Sequence, residues 1–223
     1  ELIVAIGIAM GLLAAIYMAI NATQRHSTSI ERRVTAQQDV KPALELMALE
    51  IGMASYNRMS ITNLWVNPTG TCSDTTTATQ IYRGIQEATG NSIVVEMDIS
   101  GSSGGDGNGM LGDPNEVIRY NYNTANQYIT QSTNCGGNQP FLGDTVVGHK
   151  TVRVINDTLG IPVFRYFDGA GIEIASLPAG IPNIRRIEIV LAVETEFNDA
   201  NTGQPKRLIY STSVIPRNHA IQQ

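Results

Sequence analysis

The sequence predicts an α+β fold, a long N-terminal helix whose second half packs on an antiparallel β-sheet head while its apolar first half protrudes. Three observations predict it. Residues 2–20 read LIVAIGIAMGLLAAIYMAI, apolar or glycine at every position. From residue 21 to about 57, apolar residues recur at three- to four-residue spacing without a turn cluster, which is helical periodicity. From residue 59 onward, short β-rich runs alternate with turns rich in Gly, Asn and Asp. A helix followed by a run of strands is the α+β pattern. The chain of 223 residues accordingly divides into an apolar helix over 1–24, an amphipathic helix over 25–58 and a head over 59–223.

The first element is long enough to matter in lipid. Nineteen helical residues span roughly 28 Å, close to the roughly 30 Å of bilayer hydrocarbon. A secretory signal peptide, a plain anchor, and a helix that sits first in lipid and later in a protein core all fit such a run. The acidic start at Glu1 and the continuation into further helix disfavour the signal peptide. Arg25, Arg32 and Arg33 all follow the run, which by the positive-inside tendency alone would leave the rest of the chain cytoplasmic. Cys72 and Cys135 argue the other way. They form a lone pair without a CxxC motif, read most simply as one disulfide of an exported domain, worth roughly 4 kcal/mol for a loop of about 63 residues. A short basic leader preceding Glu1 would remove the conflict. Glu1 is itself expensive in lipid unless it is interfacial or paired with a group from another chain.

In the second element, Ile30, Val34, Val40, Leu44, Met47, Ile51 and Ala54 carry the apolar spacing, with charges of both signs between them. A helix to residue 57 would be roughly 85 Å long. Pro42 is expected to kink it near residues 38–42. Gly7 and Gly11 are weak helix formers that suit either close helix packing or local stretching.

In the head, strands are expected at 80–83, 92–98, 116–122, 127–131, 145–156, 163–167, 185–194 and 208–215. Turns are expected at 157–160, 168–171, 178–182 and 198–205. The run 187–194, IEIVLAVE, alternates in part and predicts a strand buried mainly on one face. Tyr120, Tyr122, Tyr128, Tyr166 and Phe167 are expected to pack within or across strands. The head holds 10 basic and 15 acidic residues and therefore the whole formal charge of −5.

Composition and motifs exclude several functions. An acidic chain with no basic run longer than two residues does not suit nucleic acid. His26, His149 and His219 are dispersed, and no zinc, haem, P-loop, dinucleotide or nucleophile-elbow motif occurs, so no catalytic residues are assigned and no enzyme is expected. One segment, DISGSSGGDGNGMLGDPNE at 98–116, gathers Asp98, Asp106, Asn108, Asp113 and Glu116 on a Gly-rich loop. Oxygen donors of that kind suit Ca²⁺, although the spacing is not that of an EF-hand; a polar surface turn fits as well. Ca²⁺ is the one candidate cofactor.

The opening ELIVAIGIAMGLL resembles the start of type IV pilins and type II secretion pseudopilins. VFRYFDGAG at 163–171, RRIEIVL at 185–191 and TSVIPRN at 212–218 resemble the PilW/PulJ-like branch of that family, which contains larger minor components. Glu1 matches the family's glutamate, which follows an N-methylated Phe four residues earlier; the basic leader, its Gly and that Phe are absent from the sequence. The resemblance implies a pilin-like ladle and a homo-oligomeric helical filament assembled through Glu1, Leu2, Ile3 and the helix that follows, with Gly7, Gly11 and Pro42 shaping it. Glu1 would pair with the methylated amine of a neighbouring subunit. The subunit would wait in the inner membrane with its head in the periplasm, meet an assembly machinery and end on the cell surface. A minor subunit at the tip of a pilus or secretion pseudopilus is the alternative. A membrane-anchored binding module that never polymerises is a third.

Overall fold

The computed structural model describes residues 2–68, 74–101, 106–146, 151–199 and 202–220. A single helix, α1 (Leu2–Gly52), runs for 51 residues, about 75 Å. Its buried positions are Ser29, Ala36, Val40, Ala43, Leu44, Met47 and Ile51, one stripe at three- to four-residue spacing. Val40, Leu44, Met47 and Ile51 are buried as expected, but Ile30 (64% exposed) and Val34 (43%) are not. At about 100° per residue, Ile30 lies a quarter turn off Ser29 and Val34 nearly opposite Ala36, so the spacing alone merged two faces.

Pro42 does not interrupt α1. Pro42 and Gln38 are both exposed, so the carbonyl that loses its N–H partner is open to water. The helix stops at Gly52 rather than near 57. Ser55 takes a left-handed backbone (φ 68°), and its N–H donates to the carbonyl of Glu96 at 2.8 Å, turning the chain into the head.

The head holds two antiparallel sheets instead of one. The first is a meander of nearest neighbours, β1 (Ile85–Ala88), β2 (Ser92–Glu96), β3 (Val117–Asn123), β4 (Tyr128–Thr133) and β5 (Gln139–Leu142). The second contains β6 (Val152–Val154), β7 (Phe164–Phe167), β8 (Arg186–Thr195) and β9 (Arg207–Val214), with the short helix α2 (Asn156–Leu159) after β6. β8 is central. Along one side it pairs with β9, and along the other its two halves pair with β7 (Ile189↔Phe164) and β6 (Val193↔Val154).

That split leaves β8 unpaired around Val190–Ala192, and the residues flanking β6 and β7 repair the gap. Asn156 donates to the Val190 carbonyl (2.9 Å) and accepts from the Ala192 N–H (2.8 Å). The Ile155 N–H reaches the Ala192 carbonyl at 2.8 Å, and the Val190 N–H reaches Val163 at 2.9 Å. Buried backbone groups must be partnered, which explains a fully buried asparagine here. β8 is buried on both faces from Ile189 onward, not mainly on one.

One core joins α1 to both sheets, with Val40, Leu44, Met47 and Ile51 meeting side chains that include Ile93, Tyr120, Ile129, Ile187 and Leu191. Tyr120 is fully buried, donates to the Glu50 carboxylate and meets Phe141 edge-on at 5.0 Å. Tyr122 and Tyr166 donate to the carbonyls of Val154 (2.8 Å) and Thr89 (2.9 Å).

Two expected strands and one expected turn need correction. Residues 80–83 form a short 3-10 turn, Gln80–Tyr82, in place of a strand. Of 145–156 only Val152–Val154 is strand, with 147–150 outside the described residues. The turn expected at 157–160 is largely the single helical turn of α2, closed by Gly160 at φ 66°. β1 and β5, four residues each, were not anticipated.

Candidate functional site

The feature left without an intramolecular partner is the first part of α1. Between Leu2 and Ile20, a dozen large apolar side chains stand about half exposed or more, with Leu2 at 76% and Ile3 at 84%. The segment is long and apolar enough to cross a membrane, and none of it is buried within the molecule. Fully burying a large apolar side chain is worth about 1.5–3 kcal/mol. Water is therefore the least favourable surrounding for this surface, whether the alternative is lipid or protein. Glu1 lies outside the described residues.

Gly7 and Gly11 have no intramolecular reason to be glycine, since a Cβ at either would meet nothing within 4 Å. Each weakens the helix by about 0.8–1 kcal/mol relative to alanine. They lie four residues apart on one face, and Ala15 and Ala19 continue that face at the same interval. Small residues in this register allow two helix backbones to approach closely. The i, i+4 extension into Ala15 and Ala19 is visible in the sequence once the glycines are followed along the helix.

The head grips α1 from Ser29 onward, so the bare part runs to residue 28, slightly beyond the expected boundary at 24. The grip comes from the loop joining β8 to β9. Ser29 donates its hydroxyl to the Asp199 carboxylate, and Lys206 Nζ lies 3.1 Å from Asp199 Oδ2 and 3.2 Å from Ser29 Oγ. Arg32 donates to the Asn198 carbonyl, and its guanidinium lies 5.5 Å from the centre of the Phe197 ring. About two turns beyond Arg32, Asp39 accepts from the Thr151 hydroxyl. None of these partners stood out in the sequence, because the contacts join positions 112 to 177 residues apart.

In the acidic Gly-rich loop several oxygens already accept hydrogen bonds, whereas buried Asp98 Oδ1 has no partner among the described residues. Both Glu116 oxygens are taken by backbone donors: Ile99 and Ser100 on one (3.1 Å each), Gly112 (3.1 Å) and Asp113 (3.0 Å) on the other. Burial nevertheless raises the Glu116 carboxyl pKa, against those donors and with help from nearby Asp98. Asp98 accepts from the Gly109 N–H at 3.1 Å, and Asn108 donates to Asp113 at 2.8 Å. Asp106 points outward to Arg58. Asp98, Asn108, Asp113 and Glu116 thus hold the loop to itself, and among the described residues no group of three or more His, Cys, Asp or Glu is placed to hold a metal. Residues 102–105 are outside that description.

Cys135 follows β4 and is not a free thiol. Its expected partner, Cys72, lies outside the described residues, as does His149. His219 is fully buried, its ring nitrogens 2.9 Å from Ser55 Oγ and from the Ile181 carbonyl, and burial lowers its pKa.

Comparison with protein-family models, with curated proteins and with solved structures finds no match to this chain.

Proposed function

We propose that the chain is a structural subunit of a type IV pilus-like extracellular filament and polymerises through the first half of α1. One observation carries the proposal: a bare apolar helix is projected from a folded head that supplies it with no cover. In the proposed cycle the helix first sits in the inner membrane with the head in the periplasm. It then leaves lipid for a bundle of equivalent helices. Burying several hundred Å² there at about 25 cal/mol per Å² contributes on the order of 10 kcal/mol before association costs. The Gly7–Gly11 face supports close helix contact in either surrounding. Glu1 opening such a core would be penalised unless paired, and would thereby favour one register.

The test is Glu1→Ala in cells. Filament yield should fall strongly while the melting temperature of the head stays unchanged. Normal filament yield from that variant would remove the pairing role. A second arrangement, a minor component at the tip of a pilus or secretion pseudopilus, draws on the likeness of residues 163–171, 185–191 and 212–218 to the PilW/PulJ-like branch. Abundance separates the two, since a main subunit dominates the mass of sheared filaments and a tip subunit is a trace.

A further inference from the structure

Where α1 ends, the chain wraps a hollow of about 450 Å³ whose walls include Ser55, Asn57, Trp65, Gln80, Arg83 and Asn218. It lies at the far end of α1 from the bare segment. Ser55 (φ 68°), Ser60 (53°), Asn63 (58°) and Arg83 (48°) all border it, half of the eight non-glycine residues with left-handed backbone among the described residues. Such conformations cost of order 1 kcal/mol or more each and persist only where the surroundings enforce them.

Here the enforcement is visible. Asn57 clamps its turn in both directions, donating to the Ile61 carbonyl (2.9 Å) and accepting from the Ile61 N–H (3.0 Å). Gln80 does the same to Trp65, at 2.8 and 3.2 Å. Ser55 is braced from beneath by buried His219. The wall is therefore set before any ligand arrives, which lowers the entropic cost of binding.

Other groups on the same wall are unused. Among the described residues, the hydroxyls of Ser60 and Thr62, the carboxamides of Asn63 and Asn218 and the indole N–H of Trp65 make no hydrogen bond, and none is sealed from solvent. Among the described residues that line the hollow there is no carboxylate, and Arg83 is the one formal charge. Exposed Met59, Ile61 and Met110 add apolar surface beside it, Met59 and Ile61 both closing on Gly109.

We propose that this hollow is a binding site for a neutral, hydroxyl-rich ligand, an oligosaccharide. Hydroxyls and carboxamides both donate and accept, as sugar hydroxyls do, and the apolar rim suits the C–H face of a pyranose. Among the described lining residues a cation would find no counter-charge, and neutral donors and acceptors outnumber the single guanidinium. The site is independent of polymerisation and stands whether or not the chain forms filaments.

Trp65 is the only tryptophan in the chain, so its fluorescence reports on this hollow without a label. The full chain in detergent is titrated with cellobiose, diacetylchitobiose, N-acetyllactosamine and sialyllactose, and in parallel with a neutral polar peptide. At least one neutral sugar should give a saturable change, weakened about tenfold or more, a loss of about 1.4 kcal/mol, in Asn218→Ala and in Asn63→Gly. Asn63→Gly keeps the left-handed backbone, and Thr62→Ala at an exposed position replaces either variant if its melting temperature falls. No response to any neutral sugar, a response that survives these substitutions, or a response to the peptide alone overturns the proposal.

Discussion

Replacing Gly7 and Gly11 together by leucine separates what the helix needs within one molecule from what it needs from others. A Cβ added at either position meets nothing within 4 Å, so no intramolecular contact is lost. Losing two glycines favours the helix by about 1–2 kcal/mol in all. Each leucine also favours a lipid-spanning helix, by about 0.3–0.6 kcal/mol. Every effect on the isolated subunit is thus neutral or favourable. Only a neighbouring helix pressed against this face is penalised, at about 1–3 kcal/mol for each forced insertion of bulk. A penalty of 1.4–2.8 kcal/mol corresponds to a loss of about 10- to 100-fold in assembly equilibrium. The assay compares sheared filament yield with subunit held in the membrane fraction, and checks the head by its thermal melt. Filaments at the parental level from Gly7→Leu/Gly11→Leu would refute close packing on this face.

Three further outcomes follow from the head. Glu96 is fully buried, with one oxygen accepting from the Val66 N–H (3.2 Å) and the other without a partner, and burial pushes its carboxyl up to about 8 from 4.5. The folded state therefore keeps a proton that the unfolded chain releases, so this contribution to stability is complete below about pH 4.5. It then declines by about 1.4 kcal/mol per pH unit up to about pH 8. Glu96→Gln keeps the acceptor and removes that decline, so its melting temperature should gain on the parent between pH 5 and 8; parallel pH profiles would contradict this. Asp199→Ala removes the acceptor of Ser29 and the partner of Lys206, which is 40% exposed. It should cost about 1–2 kcal/mol and speed hydrogen exchange in α1 near residues 25–35 while the sheets stay protected, and unchanged exchange there would remove the clasp. Glu116→Ala strands four backbone donors and should cost about 2–4 kcal/mol, whereas chelation of the parent protein should leave its melting temperature unmoved. A rise on adding Ca²⁺ would contradict this and point to a metal at the loop.

How far the sequence foretold the molecule depends on the distance over which each interaction acts. The long helix, the strands 92–96, 117–123, 164–167, 186–195 and 207–214, and the bare segment were all legible, because hydrophobic periodicity and turn residues act locally. The end of α1 at Gly52 was not, since the turn that follows depends on Ser55 donating to the Glu96 carbonyl. Nor was the division into two sheets, which rests on β8 being shared by β6, β7 and β9 with Asn156 filling the interval. The carboxylates at 98–116 were legible as a cluster, but four of their donors are backbone N–H groups that leave no mark in the sequence. The same holds for the hollow beside Trp65, whose shape follows from left-handed residues at 55, 60, 63 and 83.

The central claim is that the bare part of α1 ends in a core made of its own kind. Electron microscopy of filaments sheared from cells producing this chain, with the subunit identified by mass, tests it most directly. The account predicts helical filaments in which this chain is the main mass and residues 2–20 line the axis, shielded from solvent. Cells that carry the protein yet bear no filament containing it, with the detergent-solubilised chain remaining a monomer, would contradict the claim.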